Sequence, residues 1–96
     1  MKFVCRSGDD FEVRLVGDHE ELGEWSPDRA IPMVLAAGEG REPHLWEHYV
    51  ELPEGTGVEF KYIKLVRNGI RWERDFNRAF RFEPGTGVCE VEFRDP

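Results

Sequence analysis

The chain has 96 residues, enough for one small domain spanning 1–96; its 40% apolar and 34% charged residues exclude a disordered tail. Twenty acidic against thirteen basic residues leave a formal charge of −7, which repels phosphate backbones and argues against nucleic acid and anionic membrane as partners. No apolar run is long enough to span a bilayer.

The first residues, MKFVCRSGDDFEV, hold no apolar signal segment, so the expected location is cytoplasmic. Two cysteines are too few for a disulfide scaffold. Cys5 and Cys89 alternate with Phe3, Val91 and Phe93, so both are expected as buried thiols, with a bridge between the first and last strands as the alternative.

No stretch has the period of a long amphipathic helix. Short alternating runs recur between turn residues instead, which predicts an all-β, antiparallel sandwich of seven to eight strands. The first strand covers 2–6 and closes at Ser7-Gly8-Asp9-Asp10. The second, 11–16, sets Phe11, Val13 and Leu15 against Glu12 and Arg14. Residues 19–28 form a loop in which Gly23 and Pro27 act as breakers and Trp25 stands among polar neighbours. A short strand is expected around 33–35, a loop over 37–44, and a strand over 45–52 with Trp46, His48, Val50 and Leu52 on one face. After the turn at 53–57 comes 58–66, where Val58, Phe60 and Tyr62 alternate with Glu59 and Lys61 until Ile63 and Leu65 fall on the polar side. That switch of parity implies a bulge, a strong twist, or a strand covered on both faces.

Asn68-Gly69 then predicts a tight type I′ hairpin, since both central positions of that turn need φ > 0. It would set Arg67 opposite Ile70, Leu65 opposite Trp72 and Lys61 opposite Phe76, with Lys61 and Trp72 on one face. Strands over 70–74, 79–82 and 88–93 complete the chain.

Catalysis by this chain is not expected. It has no nucleophile elbow, no phosphate loop and no nucleophile beside a base, and Glu73 with Asp75 would lie along one strand among Arg71, Arg74 and Arg78. His19, His44 and His48 lack metal-ligand spacing, so neither a metal nor another cofactor is implied. The tryptophans are more informative. Trp46 sits in an alternating strand and is expected in the core. Trp25 and Trp72 lie among polar residues, and clustered exposed indoles mark a binding surface. An indole face suits the apolar C–H face of a sugar, with Lys61, Glu73 and Asn77 to meet its hydroxyls. The competing reading makes Trp25 and Trp72 anchors of a protein-interaction surface.

Leu15-Val16-Gly17, Glu21-Leu22-Gly23-Glu24-Trp25, Ala30-Ile31-Pro32, Leu45-Trp46, Val50-Glu51-Leu52-Pro53, Val58-Glu59-Phe60-Lys61-Tyr62-Ile63-Lys64, Ile70-Arg71-Trp72-Glu73 and Asn77-Arg78 follow one another in order. Together this set resembles the starch-binding domains of carbohydrate-binding module family 20. The resemblance implies an immunoglobulin-like sandwich that binds α-1,4-glucans (starch, glycogen, maltooligosaccharides, cyclodextrins) without catalysis and holds a catalytic domain of the same or a partner chain against the polymer. It assigns Trp25 and Trp72 as a stacking platform, Lys61, Glu73 and Asn77 as its polar rim, and Gly23 to the loop that flanks the sugar. At the family's second site an aromatic is missing twice: Arg14 stands at one place, and residues 38–41 carry no ring at the other. One sugar site is therefore expected.

Overall fold

The computed structural model describes residues 1–37, 44–83, 85 and 87–96. Among them, nine strands follow in the order β1 (Lys2–Ser7), β2 (Glu12–Gly17), β3 (Ile31–Pro32), β4 (Val34–Ala37), β5 (His44–Tyr49), β6 (Gly57–Val66), β7 (Gly69–Trp72), β8 (Arg78–Arg81) and β9 (Val88–Glu92). The segment expected as an irregular loop holds two one-turn 3-10 helices, Glu20–Leu22 and Pro27–Arg29. One sheet has the order β4-β5-β1-β9 and the other β3-β2-β6-β7, with β8 also paired to β6.

The faces that meet are those the alternation marks. Phe3, Cys5 and Trp46 from the first sheet pack into one cluster with Val13, Leu15, Val58, Phe60 and Tyr62 from the second. An edge-to-face contact links the layers, with Phe3 and Phe60 ring centroids 5.1 Å apart, and Phe60 in turn meets Tyr62 of its own strand edge-to-face at 5.6 Å. Both cysteines are buried and unbridged, as expected from their neighbours. Trp46 is a core residue.

The expected antiparallel arrangement gives way at one place: β1 and β9 are parallel neighbours, with Phe3 opposite Cys89 and Cys5 opposite Val91. Nearly the whole chain separates these two strands, so no tight turn has to reverse their direction.

β6 resolves the parity switch. Its ladder to β2 runs without a break from Leu65 opposite Glu12 to Phe60 opposite Gly17, so there is no bulge. Val58, Phe60 and Tyr62 keep to the inner face, while Ile63 is buried on the outer face with Val16 and Ala30, beneath Trp25. The strand is covered on both sides. The same alternation carries Lys64 inward, where its side chain is fully buried. Its Nζ sits 4.1 Å from the Phe93 ring centroid and donates to Asp9 at 3.0 Å and Asp95 at 3.3 Å.

The β6–β7 hairpin differs from the sequence expectation. Val66 pairs with Gly69, which makes Arg67-Asn68 the loop, and Trp72 lies opposite Ile63 rather than Leu65. A type I′ turn would need positive φ at both loop residues; neither Arg67 nor Asn68 has it, and Gly69 instead takes φ +151°. The register moves by two positions, which preserves the faces, so Trp72 stays on the same side as Lys61. Phe76 does not pair with Lys61. The chain leaves the sheet after Trp72, swings out through residues 73–77 with Phe76 88% exposed, and returns as β8 beside the first half of β6.

Candidate functional site

The outer face of the second sheet gathers most of the residues singled out from the sequence. Trp25 reaches it from the loop between β2 and β3. His19 opens that loop by accepting the Glu21 amide on Nδ1 at 3.0 Å, and buried Leu22 pins it to the core. Gly23 follows at φ +82°, where a Cβ would stand 2.6 Å from the Arg29 carbonyl oxygen, so only glycine fits. Glu24 and Trp25 then also take positive φ, +49° and +64°. Left-handed backbone costs a non-glycine residue roughly 1–2 kcal/mol. Two such residues in succession persist because the loop is tied down: Trp25 N donates to Gly17 O at 2.8 Å, Ser26 N to Gly23 O at 3.0 Å, and Arg29 pairs with Glu24 at 2.6 Å. The result lays the Trp25 indole on the Val16–Ala30–Ile63 cluster, half-buried.

Trp72, 36% exposed, sits directly across the ladder from Ile63. Ile63 therefore joins the two tryptophans, packed against one and paired with the other. Lys61, opposite Val16, is two residues further along the same face of β6. Its ammonium donates to the Glu73 carbonyl oxygen at 3.0 Å, which holds it at the break between β7 and β8. Asn77 is exposed just before β8 begins, and its amide lies 3.4 Å from Glu59 Oε1.

Glu73 is in a different position from the one expected. Its carboxylate points inward and the residue is only 2% exposed. Oε1 accepts from Tyr62 N at 2.9 Å and Arg78 Nε at 3.1 Å; Oε2 accepts from Arg78 Nη2 at 2.7 Å and Arg94 N at 3.0 Å. An oxygen pair so engaged has nothing left for a surface ligand, which corrects the assignment of this side chain to the sugar-facing rim. Burial works to lower the Arg78 pKa, but the hydrogen bond and charge of Glu73 outweigh it and raise it. Glu73 acts on the site through its backbone, offering its carbonyl to Lys61 while its side chain clamps the strand beside Trp72. Strand alternation carries the signal for this inward turn: if Trp72 faces out, its neighbour Glu73 faces in. Arg78 and Arg94, which complete the clamp, have no comparable signal in the sequence.

Arg14, at the place where a second site lacks an aromatic, pairs with Glu12 at 2.7 Å. Residues 38–41 lie outside the described residues. Among the described residues, no group of three or more His, Cys, Asp and Glu side chains is placed to hold a metal ion.

The starch binding domain family matches residues 3–91, nearly the whole chain. The chain belongs to this family. Over 74 residues the domain is 36% identical to an AA13 family lytic polysaccharide monooxygenase A from Aspergillus terreus, a match covering 76% of this chain and 18% of that protein. A γ-cyclodextrin glucanotransferase structure from alkalophilic Bacillus clarkii aligns with a TM-score of 0.78 at 36% identity, over 97% of this chain and 14% of that one. The family 20 module of a maltotetraose-forming amylase from Pseudomonas saccharophila, at 24% identity, shares the fold with a TM-score of 0.69, over 97% of this chain and all of that one. The starch-binding domain thus spans less than a fifth of the monooxygenase and about a seventh of the transferase it matches.

Proposed function

We propose that this starch-binding domain binds α-1,4-glucans through Trp25 and Trp72, and that it holds a catalytic domain, attached or partnered, against starch, glycogen or soluble maltooligosaccharides. The observation that carries the reading is the placement of the two indoles around Ile63 with Lys61 one strand step away. Two faces set apart by a twisted sheet suit adjacent glucose rings of a curved α-1,4 chain better than a flat surface would. Each stacked ring contributes about 1 kcal/mol beyond area burial, and hydrogen bonds from Lys61 and Asn77 to hydroxyls about 0.5–1.5 kcal/mol each. Glu73 enters as a positioning residue, and Gly23 sets the backbone that presents Trp25. The tied-down loop and the clamped strand keep the platform in place before binding, which spares ordering entropy.

β-Cyclodextrin titrated against tryptophan fluorescence tests the assignment. The wild type should saturate, and Trp72→Ala should bind at least tenfold more weakly while remaining folded. A wild type with no saturable response, or a Trp72→Ala variant that binds as well, removes the platform. Retention on insoluble starch granules, competed by maltoheptaose, separates glucan binding from the alternative of a protein-docking surface.

A further inference from the structure

Beyond Lys61 the outer face of β6 continues into a groove of about 440 Å³ that the two-tryptophan platform leaves unused. Asp18, Gly57, Glu59, Ala79, Phe80 and Arg81 line it. We infer that this groove is an extension subsite that takes the next glucose units of the same α-glucan chain as it leaves the tryptophan platform, an inference that rests on the function proposed above.

Three observations carry it. The groove adjoins the platform, because the amide of Asn77, one residue before Arg78 pairs with Phe60, lies 3.4 Å from Glu59, a groove wall. Gly57, at the far end of the groove, lies four residues from Lys61 along β6, roughly 13 Å at the strand rise, and the groove occupies the Gly57–Glu59 end of that span. Its floor is low where β6 and β8 cross it: Gly57 lies opposite Arg81 and Ala79 opposite Glu59, so the outward positions between the walls carry little or no side chain. The chemistry of the walls suits a neutral polyol. Arg81 Nη1 donates to Gly55 O at 2.8 Å, which fixes the guanidinium over the Gly57 end. Asp18 Oδ1 accepts from Glu59 N at 3.1 Å, which locks the opposite wall to the strand. Fixed groups of both signs offer donors and acceptors to vicinal hydroxyls, above a floor made by Gly57 and Ala79. An anionic ligand would meet Asp18 and Glu59 against the single Arg81.

Chain length is the probe. Maltotriose is short enough to be satisfied by the platform, whereas maltoheptaose reaches the groove. Calorimetry on the whole 96-residue chain should show maltoheptaose binding about tenfold tighter than maltotriose, equal to about 1.4 kcal/mol. Arg81→Ala and, independently, Asp18→Asn, which keeps an oxygen for the Glu59 amide, should remove most of that difference and leave maltotriose affinity unchanged. In amide spectra Gly57 and Ala79 should shift with maltoheptaose only. Equal affinities for the two sugars in the wild type, or a length preference intact in both variants, overturns the groove and leaves the platform standing. Failure of either sugar to produce a saturable tryptophan response overturns the platform, and the groove falls with it.

Discussion

Replacing Glu73 tests the clamp behind the platform. Its side chain is fully buried, and its oxygens receive hydrogen bonds from two backbone amides and two guanidinium nitrogens. Glu73→Ala leaves Arg78, itself largely buried, without its counter-charge and orphans the Tyr62 and Arg94 amides. Breaking a buried pair from one side costs about 3–5 kcal/mol. A domain of 96 residues has roughly 5–14 kcal/mol of stability in total, so this one change removes from about a fifth to nearly all of it. The corresponding fall in Tm is about 12–40 °C. Glu73→Gln keeps the volume but replaces one acceptor with a donor facing other donors, and should cost about 2–3 kcal/mol. Urea titration followed by tryptophan fluorescence measures both. A double-mutant cycle with Arg78→Met should show that the second change costs less once the first is made. Glu73→Gln within about 0.5 kcal/mol of wild type, combined with a large loss of glucan affinity, refutes the clamp and returns the carboxylate to the sugar.

Gly23→Ala should destabilise by more than about 1 kcal/mol, because φ +82° and the Arg29 carbonyl both oppose a Cβ, and it should weaken cyclodextrin binding by displacing Trp25. For Asp9, burial pushes the carboxyl pKa up, but the hydrogen bond and charge of Lys64 pull it further down, below the ordinary 3.8. Its contribution to stability is therefore complete above pH 3.8 and is lost as pH falls through the lower folded value. Asp9→Asn should accordingly lose stability at pH 7, with the gap to wild type closing in denaturant titrations carried below pH 3.8. Burial raises the pKa of both thiols, with the charge of Glu73 adding to it at Cys5, so neither should react with a disulfide reagent at pH 8 until the domain unfolds.

Most of the framework was legible in the sequence, because alternation reports which face of a strand is buried. Val13, Leu15, Phe60 and Tyr62 all pack where their parity places them. The hairpin was found but centred one residue late, since Asn-Gly marks a turn by the conformational freedom of glycine, and Gly69 uses that freedom after the loop rather than within it. Ile63 and Lys64 show the limit of hydropathy as a guide. An apolar residue is buried on the outer face because Trp25 covers it, and a lysine is buried on the inner face because two carboxylates and a ring receive it. Partners distant in sequence decide both cases. For the site, alternation along β6 and the pairing of β7 place Lys61 and Trp72 on the outer face where Trp25 covers Ile63, and Asn77 is exposed just before β8. The strained backbone of Glu24 and Trp25 is a property of φ, which residue type does not encode for non-glycine residues.

The parallel contact between β1 and β9 has a mechanical consequence. Antiparallel strands pulled from their joined ends open one hydrogen bond at a time, like a zipper. Here the first and last strands lie side by side and point the same way, so tension applied to the two ends of the domain would slide one along the other. All five paired positions from Lys2–Val88 to Arg6–Glu92 then share the load and must fail together. The arrangement makes sliding, rather than unzipping, the route by which an end-to-end pull would open the sandwich.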